Sequence, residues 1–170
     1  MRVSRSDSAS RLRDLLDENA EDLLAYFIRR VSPADDAADL VSETMLVLWR
    51  RISDVPEDRI RARMWMFGVA RHVLANYERG KRRYGELGAR LREQVRVSLS
   101  NDVDHSELLD AIAALSPDQR EVVTLVHGEG FTLVEVASLM KCSPSTTRTR
   151  YATALDKLRS LIEQSVLGPK

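Results

Sequence analysis

"FTLVEVASLMKCSPSTTRTRYATAL", Phe131 to Leu155, combines a short apolar segment, a break at Ser143-Pro144, and a run of small hydroxyls interrupted by arginines. Leu133, Val136, Ala137 and Met140 recur at spacings of three and four, which places them on one face of a helix. Lys141-Cys142-Ser143 makes the turn. Ser143 can cap the following helix, with Pro144 at its first position, where the missing N–H costs nothing. The second helix opens with Ser145, Thr146, Thr147, Arg148, Thr149 and Arg150, and its rear carries Leu155, Leu158 and Leu161. A helix meant only for burial would have more aliphatic residues at its start. A solvated one would have fewer threonines, which lose rotamer freedom in helices. A short helix, a tight turn and a helix with a small, polar, basic front is a helix-turn-helix. Its second helix must enter a major groove about 12 Å wide, so the leading side chains are short and the arginines reach phosphates or guanine edges. Plain helical packing is the competing reading of these residues taken alone.

Working outward, 170 residues allow one domain or two small ones. The single cysteine excludes a disulfide framework and a cysteine-based zinc cluster. No apolar run reaches the length of a membrane span, and "MRVSRSDSASRL" lacks the apolar core of a signal peptide, so the chain is expected to be cytoplasmic. Net charge is zero, but it is unevenly spread. Lys and Arg number eight against thirteen Asp and Glu in residues 1–58, eleven against three in 59–96, and seven against ten in 97–170. Charge blocks of this kind suit surfaces that face different partners.

Helical periodicity runs almost throughout, with helices expected at about 8–31, 34–53, 59–80, 83–96, 105–114, 117–128, 132–140 and 144–164. "VSLSNDVDHS", residues 97–106, is polar and aperiodic and reads as a linker. The expected fold is all-α: two small helical domains, residues 1–96 and 107–170, on a flexible polar tether.

Within the first domain, "DAADLVSETMLVLWRRI" (Asp36 to Ile52) puts Ala37, Leu40, Val41, Met45, Leu48 and Ile52 on one stripe. Leu46, Val47 and Trp49 fall outside it, while Asp36, Asp39 and Glu43 share a face with Arg50 further along. Such a helix is either buried on two sides or offers an apolar patch with a charged rim to a partner. "RIRARMWMFGVARHVLANYERGKRR", residues 59–83, interleaves Trp65, Phe67, His72 and Tyr77 with seven arginines. Cations for phosphate and aromatics for stacking is the composition that single-stranded nucleic acid requires. Core packing competes equally for Phe67 and Tyr77.

Taken in order, these segments resemble the extracytoplasmic-function sigma factors of bacterial RNA polymerase, over about Leu23 to Leu161. "DDAADLVSETMLVLWRRI" is similar to that family's core-binding helix, and "ARMWMFGVARHVLANYERGKRR" to its promoter-melting segment. "LSPDQREVVTLVHGEGFTLVEVASLMKCSPSTTRTRYATALDKLR" is similar to its minus-thirty-five-reading domain. The resemblance implies that Asp36, Asp39, Glu43, Leu46 and Trp49 meet the clamp helices of the polymerase core. It implies minus-ten DNA contacts for Arg63, Trp65, Arg71, His72, Asn76, Arg79, Lys81, Arg82 and Arg83. Minus-thirty-five contacts fall to Thr132, Ser143, Ser145, Thr146, Arg148, Thr149 and Arg150. It further implies no catalytic residue, metal, cofactor or small-molecule substrate, and control by an anti-sigma protein, since no sensor domain is expected after Gly168. The chain departs from the family at His72, where Asn is usual, at Lys141, where the turn usually has Gly, and at Ser145, which replaces a recognition-helix Gly. An αL conformation at Lys141 would therefore be strained.

Two other classes compete. A helix-turn-helix repressor or activator acting without polymerase accounts for residues 131–155 but leaves residues 59–83 unexplained. An enzyme would have to draw on His72, His105, His127 and Cys142, whose spacings match no ligand or catalytic pattern.

Overall fold

The computed structural model describes residues 5–89 and 106–167. The chain divides into two compact units, Met1–Val97 and Ser98–Lys170. Among the described residues the first holds α1 (Arg5–Ile28), α2 (Asp36–Arg50), a 3-10 turn (Ile52–Asp54) and α3 (Arg59–Ala89). The second holds α4 (Ser106–Ala113), α5 (Pro117–His127), α6 (Leu133–Leu139) and α7 (Pro144–Leu167).

In the first unit, α1, α2 and α3 pack on one another pairwise. Leu12, Leu23, Tyr26 and Phe27 of α1 are fully buried with Ala37 and Leu48 of α2 and Met66, Phe67 and Ala70 of α3. Tyr26 sets its ring edge-on to Phe27 and Phe67, with centroids 5.2 and 5.5 Å apart. Phe67 is therefore a core residue and not a stacking platform. The α3 helix starts where the Asp58 carboxylate accepts the Arg61 N–H at 2.8 Å, an N-cap that the sequence places just before the periodic run. It then continues through Gly80, so the helices expected at 59–80 and 83–96 form one element as far as Ala89. A single glycine costs a helix only about 1 kcal/mol, and there is no proline to stop it. The expected linker lies outside the described residues except for Ser106, which begins α4.

In the second unit, α7 packs on α4, α5 and α6. Ala111, Leu115, Val123, Ala154 and Leu158 form its buried cluster, and Tyr151, Leu155 and Leu161 pack against it. Capping boxes start two helices: Ser116 with Gln119 for α5, and Thr132 with Glu135 for α6. The carbonyls at the end of α4 are closed from elsewhere. Arg120 donates to Ile112 O at 3.0 Å and Ala113 O at 2.5 Å, and Lys157 Nζ donates to Ala114 O at 2.6 Å.

Candidate nucleic-acid interface

In the second unit, α6 ends in a Schellman motif. The Cys142 N–H bonds Ala137 O at 3.0 Å and the Lys141 N–H bonds Ser138 O at 3.2 Å. Lys141 takes the left-handed position of that motif, with φ 53° and no glycine to relieve it. Ser143 then caps α7, its Oγ accepting the Thr146 N–H at 3.1 Å. Thr147 is fully buried: its hydroxyl donates to Ser143 O at 3.2 Å and lies 3.1 Å from Cys142 Sγ. Thr147 therefore belongs to the core of the turn, a role its place in a hydroxyl run concealed. Ser143, Ser145, Thr146, Arg148 and Thr149 are exposed, so the front of α7 is clear of its own unit. Arg150 is half-buried, its guanidinium 2.7 Å from Asp118 of α5. Thr132 is exposed, but its hydroxyl is engaged with Glu135 in the cap of α6.

In the first unit, α3 sorts its basic and aromatic residues by register. Arg61, Trp65, His72, Asn76 and Arg79 follow one another at spacings of three, four and seven, which aligns them on one face. Arg61, His72, Asn76 and Arg79 are exposed there, and Trp65 is half-buried. Arg79 reaches Asn76, and the Arg51 guanidinium lies 6.0 Å from the Trp65 ring centre. The indole N–H of Trp65 is buried with no acceptor among the described residues. Arg82 is exposed beside this face, 4.0 Å from Glu78, and Arg71 is half-buried. The side chain of Arg83 lies outside the described residues.

Arg63 and Lys81 lie on the opposite, packing side. Arg63 bonds Asn19 at 2.8 Å and Asp22 at 3.0 Å, both on α1, and its guanidinium is 4.9 Å from the centre of Phe67. Lys81 donates to Ser32 O in the α1–α2 loop. Tyr77, also on this side, donates its hydroxyl proton to Asp36 at the start of α2. That bond to Asp36 raises the phenol above its ordinary value. Asp36 is thus a tie between helices. Arg61, which sequence reasoning passed over, takes a place on the exposed face, and the 3.6-residue period was the signal for it.

On α2, Ala37, Leu40, Thr44 and Leu48 are buried. Thr44 closes that stripe by donating to Leu40 O at 2.7 Å, whereas Val41 and Met45 are only half-buried. The other side of the helix presents Asp39, Glu43, Leu46, Trp49 and Arg50 to solvent. Leu46 is 57 % exposed and Trp49 42 %, an apolar pair with acidic residues one and two turns toward the N-terminus. No described helix is long and apolar enough to cross a membrane.

Residues 15–84 match the family model for sigma-70 region 2, and residues 111–160 match that for sigma-70 region 4. The chain is 31 % identical over 138 residues to the ECF RNA polymerase sigma factor SigC of Mycobacterium tuberculosis, covering 78 % of this chain and 73 % of that protein. It is 27 % identical over 161 residues to SigL of the same species, covering 92 % and 91 %. The chain belongs to the extracytoplasmic-function sigma factors. This sigma factor also shares its fold with two solved structures. One is RpoE in complex with the anti-sigma factor NepR from Bartonella quintana, with a TM-score of 0.65 at 23 % identity over 89 % of this chain and 98 % of that one. The other is CnrH in complex with the cytosolic domain of CnrY, with a TM-score of 0.68 at 21 % identity over 94 % of each. An alternative sigma factor acts in transcription initiation, and the two faces described above lie one in each matched region: the α3 face in region 2 and the α7 front in region 4.

Proposed function

We propose that this sigma factor docks on core RNA polymerase through Asp39, Glu43, Leu46 and Trp49 of α2 and reads promoters with α3 and α7. The front of α7 (Ser145, Thr146, Arg148, Thr149) reads minus-thirty-five duplex. The exposed face of α3 (Arg61, Trp65, His72, Asn76, Arg79) holds the melted minus-ten strand, with Arg82 and Arg83 on its backbone. Unstacking a base costs a few kcal/mol, which stacking and phosphate contacts must offset. Arg71 stands at the edge of this set. Arg63, Lys81 and Asp36 are assigned to holding the helices together instead, because each has a partner on another element or loop. The protein is assigned no chemistry of its own and a cytoplasmic site of action, where polymerase is found. An anti-sigma protein that covers the α2 or α7 face is the expected regulator, by likeness to the fold partners solved as complexes.

The observation that carries this reading is the α2 strip, in which an exposed Leu46–Trp49 pair continues the Asp39–Glu43 edge on a helix that buries Ala37, Leu40, Thr44 and Leu48 on its other side. A monomer gains nothing by exposing that tryptophan. The test is retention of core polymerase in a pull-down. The Asp39→Arg, Glu43→Arg double variant is expected to lose it while keeping its helical content, because both residues are exposed. Undiminished retention would sink the assignment. A helix-turn-helix regulator working without polymerase would bind duplex but bring down no core subunits.

A further inference from the structure

Arg148 and Arg150 are two positions apart on α7 and fall on opposite flanks of it, on either side of the exposed Thr146 and Thr149. Their surroundings differ. Arg148 is exposed and has no partner among the described residues. Arg150 lies against α5, 2.7 Å from the Asp118 carboxylate, with the two side chains 33 % and 57 % exposed. The remaining cations of this unit are largely committed. Arg120 and Lys157 close the end of α4, and Arg159 pairs with Asp156 at 3.3 Å. Near the start of α7 that leaves Lys141, Arg148 and Arg150 to meet DNA phosphate, and one of the three already faces a carboxylate.

We propose that Asp118 masks Arg150, and that duplex binding exchanges the Asp118 carboxylate for a DNA phosphate. The proposal rests on the reading of α7 as the duplex-reading helix. An ion pair this exposed contributes little to stability, so the exchange is cheap. It also adds less salt dependence than an unpaired cation would. A cation that binds phosphate releases a counterion from DNA, but here the contact first breaks an ion pair and leaves beside the backbone a carboxylate whose repulsion salt screens. Arg150 then positions the helix at a promoter without adding to non-specific attraction. In a unit where acidic residues outnumber basic ones ten to seven from residue 97 onward, the mask keeps the free factor off bulk DNA until polymerase holds the promoter in place.

The experiment measures binding of the full chain to a short mixed-sequence DNA duplex by fluorescence anisotropy across a potassium chloride series. Asp118→Asn is expected to tighten binding severalfold and to steepen the slope of log affinity against log salt by up to about 0.9, the release of one counterion from DNA. Asn at this exposed first-turn position preserves the helix, which circular dichroism checks. Placed in an Arg150→Ala background, the same substitution should leave the slope unchanged. An equal steepening in that background would mean that Asp118 acts only as a diffuse repulsive charge, and the mask is rejected. If Asp118→Asn does nothing while Arg148→Ala flattens the slope, the mask is rejected and the reading of α7 survives. If Arg148→Ala is also without effect, both fall together.

Discussion

Lys141 carries a backbone conformation that its side chain disfavours. Its φ of 53° is imposed by the two Schellman bonds that end α6 and aim α7, and a Cβ in that region costs roughly 1–2 kcal/mol against right-handed backbone. Glycine would remove the clash but would add freedom to the unfolded chain. Lys141→Gly is therefore expected to raise the stability of the second unit by about 0.5–1 kcal/mol, read as an upward shift of its urea midpoint. An unchanged or lower midpoint would show that the lysine has compensating contacts. Thr147 is the complementary case. Its hydroxyl is satisfied within the turn, so a polar residue occupies a fully buried site without loss. Neither residue announced this by its type. Lys141 could be flagged because the turn needs an αL residue and no glycine is present, whereas Thr147 sits in a run of hydroxyls that all look alike until the helix is given a partner.

At the level of elements, α2 on the proposed reading separates folding from binding between adjacent residues. Leu48 is fully buried among α1, α2 and α3, while Trp49, the next residue, is 42 % exposed. Leu48→Ala should cost the first unit about 2–5 kcal/mol, the cost of removing buried methyl groups and leaving a cavity. Trp49→Ala should leave the thermal midpoint nearly unchanged and weaken retention of core polymerase. A stability loss at Trp49 comparable to that at Leu48 would place its indole in the fold. The helices themselves were legible because their apolar periodicity is strong and because Ser143-Pro144 marks the start of α7. The exposed acidic and apolar strip of α2 was legible for the same reason. Composition used without register left side chains of one segment unsorted. In α3, every arginine of residues 59–83 looked equivalent as charge, yet Arg63 and Lys81 point toward neighbouring elements and Arg61 does not. Tyr77 and Phe67 read equally well as stacking platforms until their partners, Asp36 and Tyr26, were in place. Long-range pairs of this kind, some forty residues apart in sequence, cannot be inferred from a local pattern.

Across the whole molecule, zero net charge conceals a basic segment, 59–96, between two acidic ones. On the proposed reading, that arrangement lets a neutral protein present acid to polymerase and base to DNA without attracting nucleic acid everywhere. The proposed α3 interface combines two kinds of group with separable effects. Arg82 and Arg83 are proposed to engage backbone charge, which every promoter has. His72 is exposed and so is available to stack on a base or to exchange hydrogen bonds with it. Replacing Arg82 and Arg83 by alanine should lower open-complex formation at all promoters alike, with the salt slope reduced by about 0.7–0.9 for each phosphate no longer neutralised. His72→Ala should leave that slope almost unchanged and reorder promoters that differ in their minus-ten bases. Permanganate footprinting over such a promoter set, with the holoenzyme at several salt concentrations, separates the two. A uniform loss with His72→Ala would reduce it to one more backbone-binding group, and a changed ranking with the arginine variant would give those residues a part in base selection, as arginine has where it meets a guanine edge.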